Sequence, residues 1–225
     1  MNQCFNPPTP TPTPTLETPG LHPFVVVVEG VDFSGKSTLA RSIQTELQKD
    51  FHLVKLLHDP KGTKHGQCIW ETIVQMQQAG GHPITEFFLF LAARNELIHQ
   101  EALSGDADVL LFDRFLFSTL AYQLTDQPAS WEPFLTTHRF FSKLMPNLCV
   151  YCDIDFETFQ QRSQHRDKQD SLDQLSQGRF EAIRSAYKAV VQLNLCPTVR
   201  VDGNRYDLPT VMNAIRNYIP RSRNG

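Results

Sequence analysis

The run Gly30-Val31-Asp32-Phe33-Ser34-Gly35-Lys36-Ser37 combines glycines, a lysine and a hydroxyl at a spacing that suits phosphate chemistry. Glycines let consecutive backbone N–H groups turn toward one anion. A lysine directly after the second glycine reaches the β and γ phosphates of a nucleotide, and the serine hydroxyl that follows ligands magnesium. The apolar residues Phe24-Val25-Val26-Val27-Val28, then Glu29, precede the run and a helical pattern follows it, so strand, glycine loop and helix stand in the required order. The candidate nucleotide-binding residues are therefore Gly30, Val31, Asp32, Phe33, Ser34, Gly35, Lys36, Ser37 and Thr38, with Ser37 as a metal ligand. The plain alternative is an ordinary glycine turn between a strand and a helix.

A phosphate loop does not choose a reaction; the other charged groups do. Val109-Leu110-Leu111-Phe112-Asp113-Arg114 ends an apolar strand with a carboxylate beside a guanidinium, which together can hold magnesium and an acceptor phosphate or can form a simple salt bridge. Phe90 and Arg94 are four residues apart in a helical pattern from Glu86 to Gln100, which places a ring and a cation on one face. A flat base could stack on Phe90 while Arg94 holds its phosphate; core packing is the competing role for Phe90, given Phe87, Phe88, Leu89 and Leu91 around it. Arg162 and Arg166, with Lys168 beyond, form either a functional cluster or a solvated basic face. Cys149 and Cys152 form a CxxC, but within a strand residues three apart face opposite sides, so packing is expected rather than a shared metal.

The elements that must position these groups follow from the hydrophobic pattern. Strands are expected at Phe24–Glu29, His52–His58, Val109–Asp113, Leu148–Asp153 and Thr198–Asp202. Helices are expected to start near Lys36, His65, Thr85, Leu116, Trp131, Asp155, Asp170 and Leu208. This alternation implies an α/β fold: a five-stranded parallel sheet with helices on both faces, carrying a phosphate loop. Ligands in such sheets bind beyond the carboxyl ends of the strands, which draws attention to Asp32, Asp59, Asp113 with Arg114, and Asp153 with Asp155. Residues 1–22, dense in Thr-Pro, are expected to be a disordered tail ahead of one domain at 23–225.

Composition sets outer bounds. With 40% hydrophobic residues in 225, the chain can bury one sizeable core. A net charge of -3 argues against a broad nucleic-acid or anionic-membrane surface. No stretch has the length of a membrane span and the first residues lack a secretory signal pattern, so a cytoplasmic address is expected. The five cysteines are scattered, so reduced thiols are expected.

On these motifs the chain resembles the thymidylate kinase family over most of residues 24–219. Phe24 to Thr38 is similar to that family's opening strand and P-loop, including Asp32. Phe88-Leu89-Phe90-Leu91-Ala92-Ala93-Arg94 is similar to its base-stacking and phosphate-binding helix. Asp113-Arg114-Phe115, with Ser118-Thr119 and Ala121-Tyr122-Gln123, is similar to its DRY/DRH segment and nucleoside pocket. Pro146 to Asp155 with Arg162 resembles the strand entering the lid, and Phe180, Arg184 and Tyr187 fall where the next helix carries such residues.

The resemblance implies a P-loop NTPase fold with a short lid, at about 155–175, and ATP-dependent phosphorylation of dTMP to dTDP. It implies ATP and Mg2+ as cosubstrate and cofactor, and a homodimer. Lys36 and the loop would hold ATP, and Ser37 and Asp113 the metal. Arg94 and Arg114 would grip the acceptor phosphate, and Asp32 would approach the 3′-hydroxyl or the metal's water shell. Phe90 would stack on thymine, while Ser118, Thr119, Tyr122 and Gln123 line the base and sugar pocket. Members place a catalytic arginine in the P-loop or in the lid. The loop position here is Phe33, so Arg162 and Arg166 become the candidates, alongside Lys36, Arg114 and Asp32 as catalytic residues.

The chain also departs from the family. Asp170-Ser171-Leu172-Asp173 stands where Asp-Arg-Ile-Glu is usual, and Asp59-Pro60-Lys61-Gly62-Thr63 brings an added lysine to the turn after the second strand. Two other readings stay open at this point. One is a deoxynucleoside kinase acting on thymidine, with Asp59 as the base that a neutral hydroxyl requires. The other is a nucleotide-binding homologue that has lost its chemistry.

Overall fold

The computed structural model describes residues 23–103, 105–164 and 175–219. The expected tail at 1–22, together with Arg166, Lys168 and the stretch Asp170–Asp173, lies outside the described residues.

Five strands form one parallel sheet in the order β2-β3-β1-β4-β5: β1 (Phe24–Gly30), β2 (Val54–His58), β3 (Val109–Asp113), β4 (Leu148–Asp153) and β5 (Thr198–Asp202). Three of these bounds match the sequence expectation. β1 runs one residue further and β2 starts two later, at Val54. The helices are α1 (Lys36–Leu47), α2 (Lys64–Gln78), α3 (Pro83–Leu97), α4 (Leu116–Tyr122), α5 (Trp131–Ser142), α6 (Phe156–Gln164), α7 (Gln177–Gln192) and α8 (Leu208–Arg216). α2 starts at Lys64 because the Thr63 side chain accepts the Gly66 N–H. α3 starts at Pro83 because His82 caps it and proline suits the first helical position. A π-helical turn, Ile98–Ala102, extends α3 and was not expected. The helix expected from Asp170 is described from Gln177, where the Ser176 side chain accepts the Arg179 N–H.

Alternation along the buried strands divides the core into two layers. Val25 and Val27 of β1, Leu110 and Phe112 of β3, and Cys149 and Tyr151 of β4 face the layer covered by α4, α5 and α7. Val26, Val28, Leu111, Leu148, Val150 and Cys152 face the layer covered by α1 and α8. Cys149 and Cys152 thus lie on opposite faces, as strand periodicity requires.

Register then assembles the site. Parallel pairing sets His58 of β2 beside Asp113 of β3, and Asp113 beside Val28 of β1. One residue further along each strand come Asp59, Arg114 and Glu29, side by side at the carboxyl edge. β1 lies between β3 and β4: after β1 the chain builds β2 and β3 on one side and then crosses to β4 and β5 on the other, which opens a crevice at the carboxyl end of β1.

Candidate active site

The phosphate loop closes β1 onto α1 through backbone shapes that glycine permits. Gly30 has φ +149° and Gly35 φ +86°, and a Cβ on Gly30 would run into the Cys152 carbonyl. No side chain caps α1, whose leading N–H groups are left to face an anion. Lys36 is buried, 3.5 Å from Asp32 and donating to the Val31 carbonyl at 3.3 Å. Burial and the nearby Arg114 push its pKa down, against the pull of Asp32, Asp113 and Glu29. Phe33, also in the left-handed region, packs its ring edge-on against Phe159 of α6. Gly35, Lys36, Ser37 and Thr38 line the cleft, whereas Val31 belongs to the core and Ser34 is fully buried.

Asp32 ties the loop to the far wall through Arg114 and Tyr122. Its carboxylate pairs with Arg114 and accepts the Tyr122 hydroxyl at 2.9 Å, while that same hydroxyl accepts the Asp32 N–H at 2.9 Å. Burial raises the Asp32 pKa, but Arg114 and Lys36 outweigh it and hold the group well below the usual carboxylate range. Burial and Asp32 keep the Tyr122 hydroxyl protonated far above its ordinary pKa. Arg114 itself sits at φ +70°, donates to Ser118 Oγ at 3.1 Å, and lies 5.2 Å from the Tyr122 ring.

Arg94 is arranged differently. It is 1% exposed, and its Nε donates to Asp59 Oδ2 at 2.6 Å while Nη2 donates to Thr119 Oγ1 and to the Phe115 carbonyl. Asp59 Oδ1 and Arg94 Nη1 are buried with no hydrogen-bond partner among the described residues. Both residues line the cleft. Nearby, Phe90 is half-buried with Trp70 edge-on against it, and Lys61 Nζ lies 4.1 Å from the centre of the Trp70 ring. Glu86 accepts from Gln77 at 2.6 Å and from Gln123 at 3.5 Å.

Ser37 and Asp113 offer oxygen donors suited to a hard dication. Asp113 Oδ1 is buried with no hydrogen-bond partner among the described residues, and Asp113 Oδ2 is 3.4 Å from His58 Nδ1. Although burial raises the Asp113 pKa, His58, Lys36 and Ser37 keep it below its ordinary value. Among the described residues no group of three or more His, Cys, Asp or Glu gathers to hold a metal alone. A magnesium ion here would share its coordination with substrate phosphate, its usual habit.

Arg162 donates to the Phe33 carbonyl at 3.0 Å and to the Gly203 carbonyl at 2.8 Å, so it braces the phosphate loop against the turn after β5. Two strand-end acids serve structure. Asp153 is held by Arg184 at 2.7 and 3.2 Å, and Asp155 accepts the Thr158 N–H at the start of α6. Sequence reasoning did not single out Glu29, Trp70 or Arg179. Glu29 reads as the polar end of an apolar strand and Trp70 as one more residue of an amphipathic helix. Arg179 follows the lid segment, yet it lines the cleft and donates to the Tyr122 carbonyl at 2.9 Å. The tyrosine after the lid, Tyr187, proves to be fully buried beside Glu29.

A family model described as thymidylate kinase matches residues 28–215. The chain is 31% identical over 190 residues to a thymidylate kinase of Cereibacter sphaeroides, covering 83% of this chain and 86% of that protein. It is 32% identical over 190 residues to a thymidylate kinase of Leptospira interrogans, covering 81% and 87%. The crystal structure of a thymidylate kinase from Ehrlichia chaffeensis superposes with a TM-score of 0.65 at 18% identity, covering 87% of this chain and 97% of that one, a likeness of fold.

Proposed function

The chain belongs to the thymidylate kinase family, and from that premise we infer that it transfers the γ-phosphoryl group of ATP to dTMP, giving dTDP and ADP. The observation that carries this reading is the convergence of two cationic groups in one cleft: Lys36 of the phosphate loop and Arg114 from the end of β3 flank the same Asp32 carboxylate. The acceptor is already an anion, so the task is to align two repelling polyanions and neutralise their charge, with no strong general base required.

The assignment of roles follows from charge balance. Lys36 and the backbone of residues 30–38 bind ATP. Arg114 is the principal grip on the acceptor phosphate, since its partner Asp32 also faces the substrate and can exchange that contact for a sugar hydroxyl. Arg94 is already neutralised by buried Asp59, which leaves Nη1 as its group directed to substrate. Phe90, backed by Trp70, stacks on the base. Ser118, Thr119, Tyr122 and Gln123 line the rest of the acceptor pocket. Ser37 and Asp113 would hold Mg2+, which when bound screens the phosphate charge. With Phe33 turned into the apolar contact with Phe159, the lid arginine Arg166 takes the catalytic place. A cytoplasmic homodimer completes the reading.

The thymidine kinase alternative is not favoured, because Asp59, its proposed base, is committed to Arg94 at 2.6 Å. The test is a panel of dTMP, other nucleoside monophosphates and thymidine, each with ATP and magnesium. dTDP should be the main product. Preferential phosphorylation of thymidine would overturn the assignment.

A further inference from the structure

We propose that Glu29 is a positioning residue of the acceptor site: it sets the aim of Arg114 through Ser118, and through Tyr187 it ties that aim to the phosphate loop and to the helix that follows the lid. The proposal rests on the kinase reading above. Glu29 is fully buried at the end of β1. Its Oε1 accepts the Phe115 N–H at 2.7 Å and the Ser118 N–H at 3.3 Å, so one carboxylate holds the start of α4, the helix that carries the acceptor wall. Its Oε2 lies 2.6 Å from Ser118 Oγ and 3.3 Å from the Tyr187 hydroxyl.

Proton accounting gives the link its direction. Ser118 Oγ meets Glu29 Oε2, Arg114 Nη1 at 3.1 Å and the Tyr187 hydroxyl at 2.9 Å. Arginine only donates and a serine hydroxyl has one proton, so Ser118 accepts from Arg114 and gives its proton elsewhere. When Glu29 is ionised, that proton goes to the carboxylate, and the Tyr187 proton can go to the Gly30 carbonyl at 3.1 Å. When Glu29 is protonated, its own O–H turns toward Ser118, Ser118 donates to Tyr187, and the negative charge behind Arg114 is gone. Arg114 is then held by Asp32 and Ser118 without the anion that draws it toward the α4 wall.

This change falls in the working range. Burial pushes the Glu29 carboxyl up to about 7, against the Ser118 hydrogen bond, the Arg114 charge and the Phe115 N–H. The groups facing it are Arg114 and Arg94, Tyr187 from α7, Lys36 from α1, Cys149 from β4 and Cys196 before β5.

The experiment compares Glu29→Gln with the unaltered chain, measuring KM for dTMP and for ATP from about pH 6 to about pH 8. Glutamine keeps the size and mimics the protonated acid. At the upper pH, KM for dTMP should rise about tenfold while KM for ATP changes less than about twofold. The ratio of the two chains' dTMP KM values, in which the substrate's own titration cancels, should fall toward one as pH drops. A second variant, Ser118→Ala, breaks the link with Glu29 in place and should give the same dTMP-selective rise. A ratio that is flat with pH, or an equal rise for ATP, would overturn the proposal. Absence of dTDP formation by the unaltered chain would instead sink the kinase reading itself.

Discussion

Arg94 and Asp59 form an ion pair buried from water on both sides, each side chain 2% exposed, with Nε and Oδ2 2.6 Å apart. Such a pair is weak as a source of stability but costly to break, because the surviving charge has no solvent. Asp59→Ala should therefore destabilise the fold by about 3–5 kcal/mol, read by urea unfolding. A loss below about 1 kcal/mol would mean that Arg94 has another way to balance its charge.

Lys36 stands with a depressed pKa, poised against Asp32 and the Val31 carbonyl. On the role proposed for it, Lys36→Ala removes the charge that would meet the transferred phosphoryl group, and turnover should fall by about 10²- to 10³-fold. Circular dichroism should stay native, since the lost contacts are to the loop alone. Near-normal turnover would remove Lys36 from the site.

The Tyr122 hydroxyl closes a ring with Asp32, accepting its N–H and donating to its carboxylate. Tyr122→Phe leaves both Asp32 groups short of a partner, at a cost of about 1–3 kcal/mol. KM for dTMP should rise with KM for ATP nearly unchanged, as steady-state kinetics would reveal. For Arg114→Lys the same selectivity should appear with a larger loss, because an ammonium cannot reproduce the guanidinium fork.

Glu29 also leaves a mark on stability. Its folded value of about 7 lies above the ordinary 4.5, so between those values the folded chain binds more protons than the unfolded one. Stability must then fall as pH rises through that window, by about 1.4 kcal/mol per unit and roughly 3 kcal/mol in all. Glu29→Gln should lack this component, so the variant gains stability relative to the parent toward pH 7 and above. Chemical denaturation across the window measures the difference; parallel curves would contradict the buried ionisation.

Arg162 and Arg166 should separate cleanly. Arg162→Ala breaks the brace between the Phe33 and Gly203 carbonyls and should lower stability and ATP affinity together. Arg166→Ala should lower turnover far more than ATP affinity. Unchanged turnover in the second variant would return the catalytic role to Arg162 or another cation.

Much of the framework is legible in the residues. A run such as Val25-Val26-Val27-Val28, buried on both faces, announces a central parallel strand, and the Gly30–Ser37 spacing announces what sits at its end. Asp113-Arg114 marks itself by placing charge directly after Leu110-Leu111-Phe112. Phe33 is legible only as an absence of arginine; that its ring leaves for Phe159, 5.5 Å away, depends on a helix more than a hundred residues later. Arg94 carries no local sign that Asp59 neutralises it.

What the sequence determined by itself was the order of elements, the two-sided core and the identity of the phosphate loop, because strand and helix periods and glycine spacing act over a few residues. What only the tertiary structure decided was pairing: that Glu29 lies under Phe115, 86 residues on, and beside Tyr187, 158 residues on, and that of the two cleft arginines Arg114 pairs with Asp32 of the phosphate loop while Arg94 pairs with buried Asp59. Hydrogen bonds and buried charge depend on distances of a few ångströms between segments far apart in the chain. Those distances are fixed by strand register and helix packing, which no local pattern of residues encodes.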